Sequence, residues 1–512
     1  PDYLVRPSGS RVEDFSRQVK LDDLVRPPVN LSLTAVDAND RGGDISIGAG
    51  AGIEADPGAK ITLTVGNLLD IQGSISAPGG SITATLDHGQ GFEFFPTNAL
   101  WLGKQAVLDV SGVALTYLDS QRLTQGTVLN GGNITLNAKF GYVVAEAGST
   151  IRMAGAAPVR LDILNQAGGL GQWVGSDAGS LSIGAREGIM LDGTMDAQAG
   201  GASNRGGAFD LVLGNNLTPD QSLGYPIGER ILSLAPTAAA QASGLIPGNA
   251  LPAGLNGQAK LGAATLEAAG FDRIALKSHD AIRLEDGLNL GAGRALPLQE
   301  VTLDAPRIEM AGGNAMLTAE TVRLGNYDAE RVDVVNTPAA GRGTLKADAR
   351  LLELAGNLTL SGMARAELNG AEEVRLAGVS SSGSPRPAGT LASAADLFFG
   401  GAVIAPTTYS QFTIQAPGQT VAFGRNAQPP AQPLSALGSL AVNAANIVQG
   451  GNIWAPFGQL AFNATETRGC KDCSRSAIAA APGSVIPFGT TVNGRSWIYR
   501  PETFIIPLLG LP

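Results

Sequence analysis

Apolar and polar residues alternate along this chain in short bursts, and several bursts begin with one phrase. Gly42-Gly43-Asp44-Ile45-Ser46-Ile47 returns as Gly79-Gly80-Ser81-Ile82-Thr83-Ala84, as Gly131-Gly132-Asn133-Ile134-Thr135-Leu136 and as Gly206-Gly207-Ala208-Phe209-Asp210-Leu211. A late copy stands at Gly450-Gly451-Asn452-Ile453. A glycine pair takes positive φ without steric cost, and the two-residue period after it predicts a short strand with one buried face. Further strands are predicted at Ile61-Thr62-Leu63-Thr64-Val65, Leu69-Asp70-Ile71 and Ser74-Ile75-Ser76, and the run 69–77 is echoed at 107–114 and 190–197.

Strands this short, separated by Gly, Asn, Asp or Ala-Pro corners, describe a chain that turns often. The glycine pairs at 42, 79 and 131 are unevenly spaced, which excludes a strict short-period array and suits a solenoid with insertions at its corners. The expected fold is all-β, a right-handed parallel β-helix with corner-loop insertions. With roughly 20 to 25 residues per coil and about 4.8 Å between stacked strands, it would have on the order of 20 coils and a length on the order of 100 Å. A sandwich would favour longer strands and Asn-Gly or Asp-Gly hairpins. Helical periodicity is nearly absent; the best candidate, Val12 to Leu24, has an interrupted apolar face.

Composition narrows the classes. Of 512 residues 69 are Gly and only 16% are charged, against roughly 25% in average soluble domains. With 44% apolar residues the chain is too apolar for disorder. Only 5% are aromatic, as a narrow aliphatic interior requires. A net charge of −10 argues against nucleic-acid partners, and no apolar run is long enough for a membrane span. The start at Pro1 without a leader, and the end at Leu511-Pro512, read as a piece of a longer polypeptide.

Five regions are expected: a lead-in over 1–41, coils over 42–215, a strandless excursion over 216–262, coils over 263–465 with a Ser/Gly/Pro interruption at 380–387, and an appendage over 466–512. Insertions at 84–105, 115–130 and 216–262 are expected to display surface. Gly91-Phe92-Glu93-Phe94-Phe95-Pro96 with Trp101 is the densest aromatic patch, either capping a groove or packing on the rod.

The phrases Gly-Gly-x-Ile-x-Ile, Gly58-Ala59-Lys60-Ile61-Thr62-Leu63 and Leu69-Asp70-Ile71-x-Gly73-x-Ile75 resemble the filamentous haemagglutinin family of large bacterial exoproteins. Gly270-Phe271-Asp272-Arg273-Ile274-Ala275-Leu276, Ala319-Glu320-Thr321-Val322-Arg323-Leu324-Gly325-Asn326, Ala405-Pro406-Thr407-Thr408-Tyr409 and Ile447-Val448-Gln449-Gly450-Gly451 resemble a region near the C-terminal part of many members. The resemblance runs from about Arg6 to Tyr499. It implies a secreted or surface-held β-helical stalk of a Gram-negative bacterium, with roles in adhesion, aggregation or biofilm. It further implies export by an outer-membrane two-partner-secretion transporter acting on regions not in this chain, and surface glycans or proteins as partners. The family's N-terminal secretion domain and any toxin domain are not recognisable here.

Catalytic chemistry finds little support. Gly-x-Gly-x-x-Gly, Walker and Gly-x-Ser-x-Gly patterns are missing, and with His only at 88 and 279 a His-Glu-x-x-His site is impossible. No cofactor is called for. Two clusters suit a polysaccharide lyase or hydrolase, in which carboxylates and a basic residue line a groove. They are Asp87-His88 near Glu93, and Lys277-x-His279-Asp280 near Glu285-Asp286. The plainer reading is a pair of solvated corners at strand ends. A trimeric phage-spike-like binding module is a third reading. Asp70, Asp109 and Asp192, if stacked, would repel unless outward or on separate coils. Asp37-Ala38-Asn39-Asp40 with Asp44 offers oxygens for calcium but fails the EF-hand pattern and reads as a polar loop. Cys470 and Cys473 have no second pair for a zinc ribbon; a small-loop disulfide is favoured over free thiols.

Overall fold

The computed structural model describes residues 26–36, 42–87, 96–164, 170–214, 228–328, 336–381, 386–426, 435–465, 491–492 and 495–496. Its strands stack as a parallel solenoid of three columns. The first column begins at Leu31–Ala35 and runs through Lys60–Val65, Ser81–Leu86, Asn133–Ala138, Ser180–Ala185, Gly207–Leu213, Phe271–Ser278 and Glu300–Asp304. It continues through 321–325, 351–355, 373–377 and 403–406. The second column starts at Asp44–Ile47 and ends at Gln459–Ala464. The third starts at Gly52–Glu54 and Ser74–Ser76. After Ser278 the chain repeats the circuit in longer strands: Asn314–Gly325, Ala340–Ala355 and Met363–Ala377 each pass from the third column into the first without a break in the strand.

Alternation explains the packing. Ile61, Ile82, Ile134, Leu181, Phe209, Ile274, Val301, Val322, Leu352 and Val374 lie in register on successive rungs and are fully buried. The residues between them face out. In the N-terminal rungs these are Thr62, Thr83, Thr135 and Ser182; further along they become Arg323, Glu353 and Arg375. Opposite charges meet between the later rungs: Arg323 Nη1 lies 3.0 Å from Glu300, and Arg375 Nη1 lies 3.6 Å from Glu353, its register partner. A slip by one coil would set like charges side by side.

The glycine pairs serve a purpose beyond turning. Gly42, Gly43 and Gly79 do take positive φ. Gly80, Gly132 and Gly179 instead allow corners to stack. A Cβ on Gly132 would lie 1.9 Å from Gly80 O, and one on Gly179 would lie 1.8 Å from Gly132 O.

Three expectations are corrected. Residues 31–35 of the lead-in already form the first rung, because Leu31-Ser32-Leu33-Thr34-Ala35 alternates like the rest. The excursion 216–262 is not strandless: Ile231–Ala235 and Gln258–Gly262 both enter the second column. They do so in reverse order, with Gln258–Gly262 against Gly188–Leu191 and Ile231–Ala235 one rung further on, against Ala281–Leu284. The second column thereby gains a strand. It loses one between 325 and 344, where the chain moves from the first column directly to the third and Arg307–Met310 pairs with Asn357–Ser361. The surplus and the deficit cancel, so the columns regain alignment. Last, the stack formed by the described residues is shorter than the expected rod. The second column holds fourteen strands among the described residues, about 60 Å at 4.8 Å per rung, because the two corner hairpins consume residues without adding a rung.

One helix, Ala263–Ala268, replaces a rung of the third column, between Thr194–Asp196 and Leu288–Leu290, and turns Ala263 and Leu266 into the core. The interruption at 380–387 is closed by an antiparallel bridge between Val379 and Ala388. Of the appendage, the described part is a two-residue pairing, Thr491–Val492 with Arg495–Ser496. The helix candidate over Val12 to Leu24 lies outside the described residues.

Candidate functional site

The circuit brings part of one predicted cluster together and adds groups that are distant in sequence. Lys277 is in register with Asp304 on the next rung, at 3.8 Å, and its Nζ donates to Asp328 Oδ2 at 3.1 Å. His279 Nδ1 lies 3.2 Å from Asp280 Oδ1, and Asp280 Oδ2 accepts from the Arg230 N–H at 2.8 Å. Burial pushes the Asp304 carboxyl up, with Asp328 acting the same way; the Tyr327 N–H and Lys277 oppose it. Burial and the nearby Glu353 carboxylate push the Tyr327 phenol up as well, and its OH donates to Glu353 Oε1 at 2.9 Å. Lys277, His279, Asp304 and Asp328 line a pocket of about 10 Å³, room for one water molecule and not for a sugar ring.

The remaining predicted positions are dispersed. Asp286 accepts from the Asn314 N–H at a corner. Asp87 pairs with Lys139 on the neighbouring rung. Asp70 lies opposite Trp101 in the second column and Asp109 between Ser76 and Arg152 in the third, so these carboxylates do not stack; Asp70 accepts from the Gln72 amide, Asp109 from the Ser111 N–H, and Asp192 from two N–H groups of the excursion. His88, Glu93, Cys470, Cys473 and the calcium candidates at 37–40 lie outside the described residues. Among the described residues no group of three or more His, Cys, Asp or Glu side chains is arranged to hold a metal ion.

Trp101 does not form a surface. Residues 236–257 run as a strap over the outer face of the second column and bury Trp101, Tyr142, Val144 and Met190 beneath Ala242, Leu245, Leu251 and Leu255. Trp101 Nε1 donates to Glu146 Oε1 at 2.7 Å. The strap is pinned at one end by Asp192, which accepts from the N–H groups of Gln241 (2.7 Å) and Ala242 (2.6 Å). At the other end is a buried ion cluster that sequence reasoning missed. Glu187 Oε2 takes Arg230 Nη2 at 3.3 Å and Asn256 Nδ2 at 3.1 Å, while Glu187 O accepts from the Gly257 N–H at 2.6 Å. Burial pushes the Glu187 carboxyl up, and Arg186 and Arg230 pull it down. The available signal was the adjacent Arg186-Glu187 pair in a charge-poor stretch.

The displayed surface lies at the corner between the third and first columns. Two consecutive coils each extend an antiparallel hairpin there: Ala114–Leu118 with Thr124–Val128, and Val159–Leu164 with Leu170–Val174. Asp162 joins them, its Oδ2 accepting from the Thr124 N–H at 2.8 Å and its carbonyl from Gln125 Nε2 at 3.2 Å. Together they expose Tyr117 (50%), Leu118 (66%), Leu170 (58%) and Trp173 (70%). Large apolar side chains so exposed, on arms outside the core, are the features expected of a contact surface.

Comparison with known proteins returns no matching family model, no similar curated protein and no similar solved structure.

Proposed function

We propose that this chain is a structural and adhesive segment of a secreted or surface-held bacterial exoprotein: a rigid rod that holds contact surfaces away from the cell. The single observation that carries the reading is the joined pair of hairpins, which projects exposed aromatic and aliphatic side chains from an otherwise continuous aliphatic stack. A stack of this kind needs no cofactor, and each coil is stabilised by its neighbours, so insertions at corners leave the rod intact. The sequence resemblance to filamentous haemagglutinins supports the same reading, with export by an outer-membrane two-partner-secretion transporter and surface glycans or proteins as partners.

The test compares beads coated with the full chain and beads coated with a variant in which 114–128 and 159–174 are replaced by short Gly-Ser links. Binding to epithelial and bacterial cells should fall several-fold in the variant while its far-UV circular dichroism keeps the β signature. Equal binding by both, or by neither above uncoated beads, contradicts the adhesive reading.

A further inference from the structure

Within the second hairpin one side chain is placed with unusual care. Arg160 and Trp173 are directly opposite each other across the strand pair. The Arg160 guanidinium lies against the backbone at Gly171, where an added Cβ would sit 2.8 Å from both Nε and Nη2. Gly171 also has a φ of +99°, which side-chain-bearing residues rarely adopt. The glycine therefore both opens the cradle and shapes the strand beside it.

The same guanidinium is underused. Its nearest charged partner is Asp162 at 3.7 Å, beyond hydrogen-bond reach, and the Asp162 carboxylate already accepts from the Thr124 N–H. The Arg160 side chain is 60% exposed, and its cross-strand partner Trp173 is 70% exposed. A planar donor fork facing solvent is suited to bidentate recognition of a carboxylate. An exposed indole offers a flat apolar face to a ring.

The geometry points to a binding site for a uronic-acid residue of a polysaccharide at Arg160 and Trp173. Its rationale is steric as well as electrostatic. In a pyranuronate the carboxylate leaves the edge of the ring close to the mean ring plane. A sugar stacked on the indole then presents its carboxylate sideways, toward the cross-strand arginine, whose Cβ is about 5 Å from that of the tryptophan in such a pair. A sialic acid carries its carboxylate on the anomeric carbon, beside the glycosidic bond, and fits this arrangement less well. In a chain of net charge −10 an anion needs such a local cation to approach. The site deepens the adhesive reading and rests on it.

Isothermal titration of the full chain with an oligogalacturonate, at low salt, tests the site. Binding should weaken about tenfold or more, about 1.4 kcal/mol per decade, in Arg160→Gln and in Trp173→Ala. Both residues are exposed, so the thermal melts of the variants should match the parent. Arg160→Lys, which keeps the charge and loses the fork, should fall between. No binding by the parent, binding unchanged in Arg160→Gln and Trp173→Ala, or equal affinity for a neutral cello-oligosaccharide or for sialyllactose overturns the site. Bead attachment by the same variants separates the two ideas: attachment that persists when the parent binds no uronate retires the uronate site and leaves the adhesive reading standing.

Discussion

Replacing Leu276 by Ala tests the aliphatic ladder at its centre. Leu276 is fully buried, with Leu211 in register on one rung and Leu303 on the other. Leu→Ala changes in protein cores remove about 2–5 kcal/mol, the larger values where the surroundings cannot collapse into the space. Here the walls are backbone rungs held at a fixed spacing by the ladder above and below, so relaxation is limited and a loss of about 3–5 kcal/mol is expected. Urea denaturation followed by circular dichroism measures it. Hydrogen exchange adds the spatial signature. Because solenoid stability is carried between nearest neighbours, amides at 209–213, 274–278 and 301–304 should lose protection, while those of the Ile61 and Ile82 rungs should keep theirs. A loss below about 1 kcal/mol, against the range expected for a closed core site, or equal deprotection along the whole rod, would refute the reasoning.

Further outcomes follow from the strap and the buried carboxyls. Asp192→Ala removes the acceptor of two strap N–H groups and should cost about 1–3 kcal/mol, with acrylamide quenching of tryptophan fluorescence rising as Trp101 becomes accessible; quenching that stays at the parent level would contradict the pinning role. Asp304 is an acid whose folded-state pKa is raised by burial, so its contribution to stability is present below the unfolded value near 4 and is lost as pH rises through the raised folded value. The melting temperature of Asp304→Asn relative to the parent should therefore rise between acid and neutral pH, and a constant difference would count against it. Gly132→Ala brings a Cβ onto Gly80 O and should lower stability more than Gly418→Ala, whose positive φ is strained but whose Cβ meets nothing, as paired thermal melts would show.

Much of the coil was legible in the sequence because period-two alternation and glycine corners are local signals. Ile82, Ile134 and Phe209 could be set on one face from their phrases alone, and the structure stacks them in register. What the sequence concealed was order in space. Nothing local in Ile231–Ala235 and Gln258–Gly262 says that the later strand lies nearer the N-terminal coils, since that choice is made by the strap that buries Trp101 and Tyr142. The helix Ala263–Ala268 was missed because one turn and a half is too short for a 3.6-residue period to declare itself. The candidate surface was half visible: 115–130 was expected as displayed sequence, but the second hairpin and its Arg160–Trp173 pairing depend on a cross-strand register set by the coil beneath. Lys277 and Asp328 meet only because successive coils carry distant residues past one point.

Distances between spin labels on the outer face of the first column test the parallel stack most directly. Thr62, Thr83, Thr135, Ser182, Asp210 and Ala275 succeed one another in register, as do Thr302, Arg323, Glu353 and Arg375 beyond them. With Cys470 and Cys473 replaced by Ser, double electron–electron resonance should place labels at Thr62 and Ala275 about 24 Å apart, and labels at Thr62 and Arg375 about 43 Å apart, at about 4.8 Å per rung whatever the number of residues between rungs. Distances that ignore rung count, or a Thr62–Arg375 separation no longer than Thr62–Ala275, would contradict a single column of parallel coils.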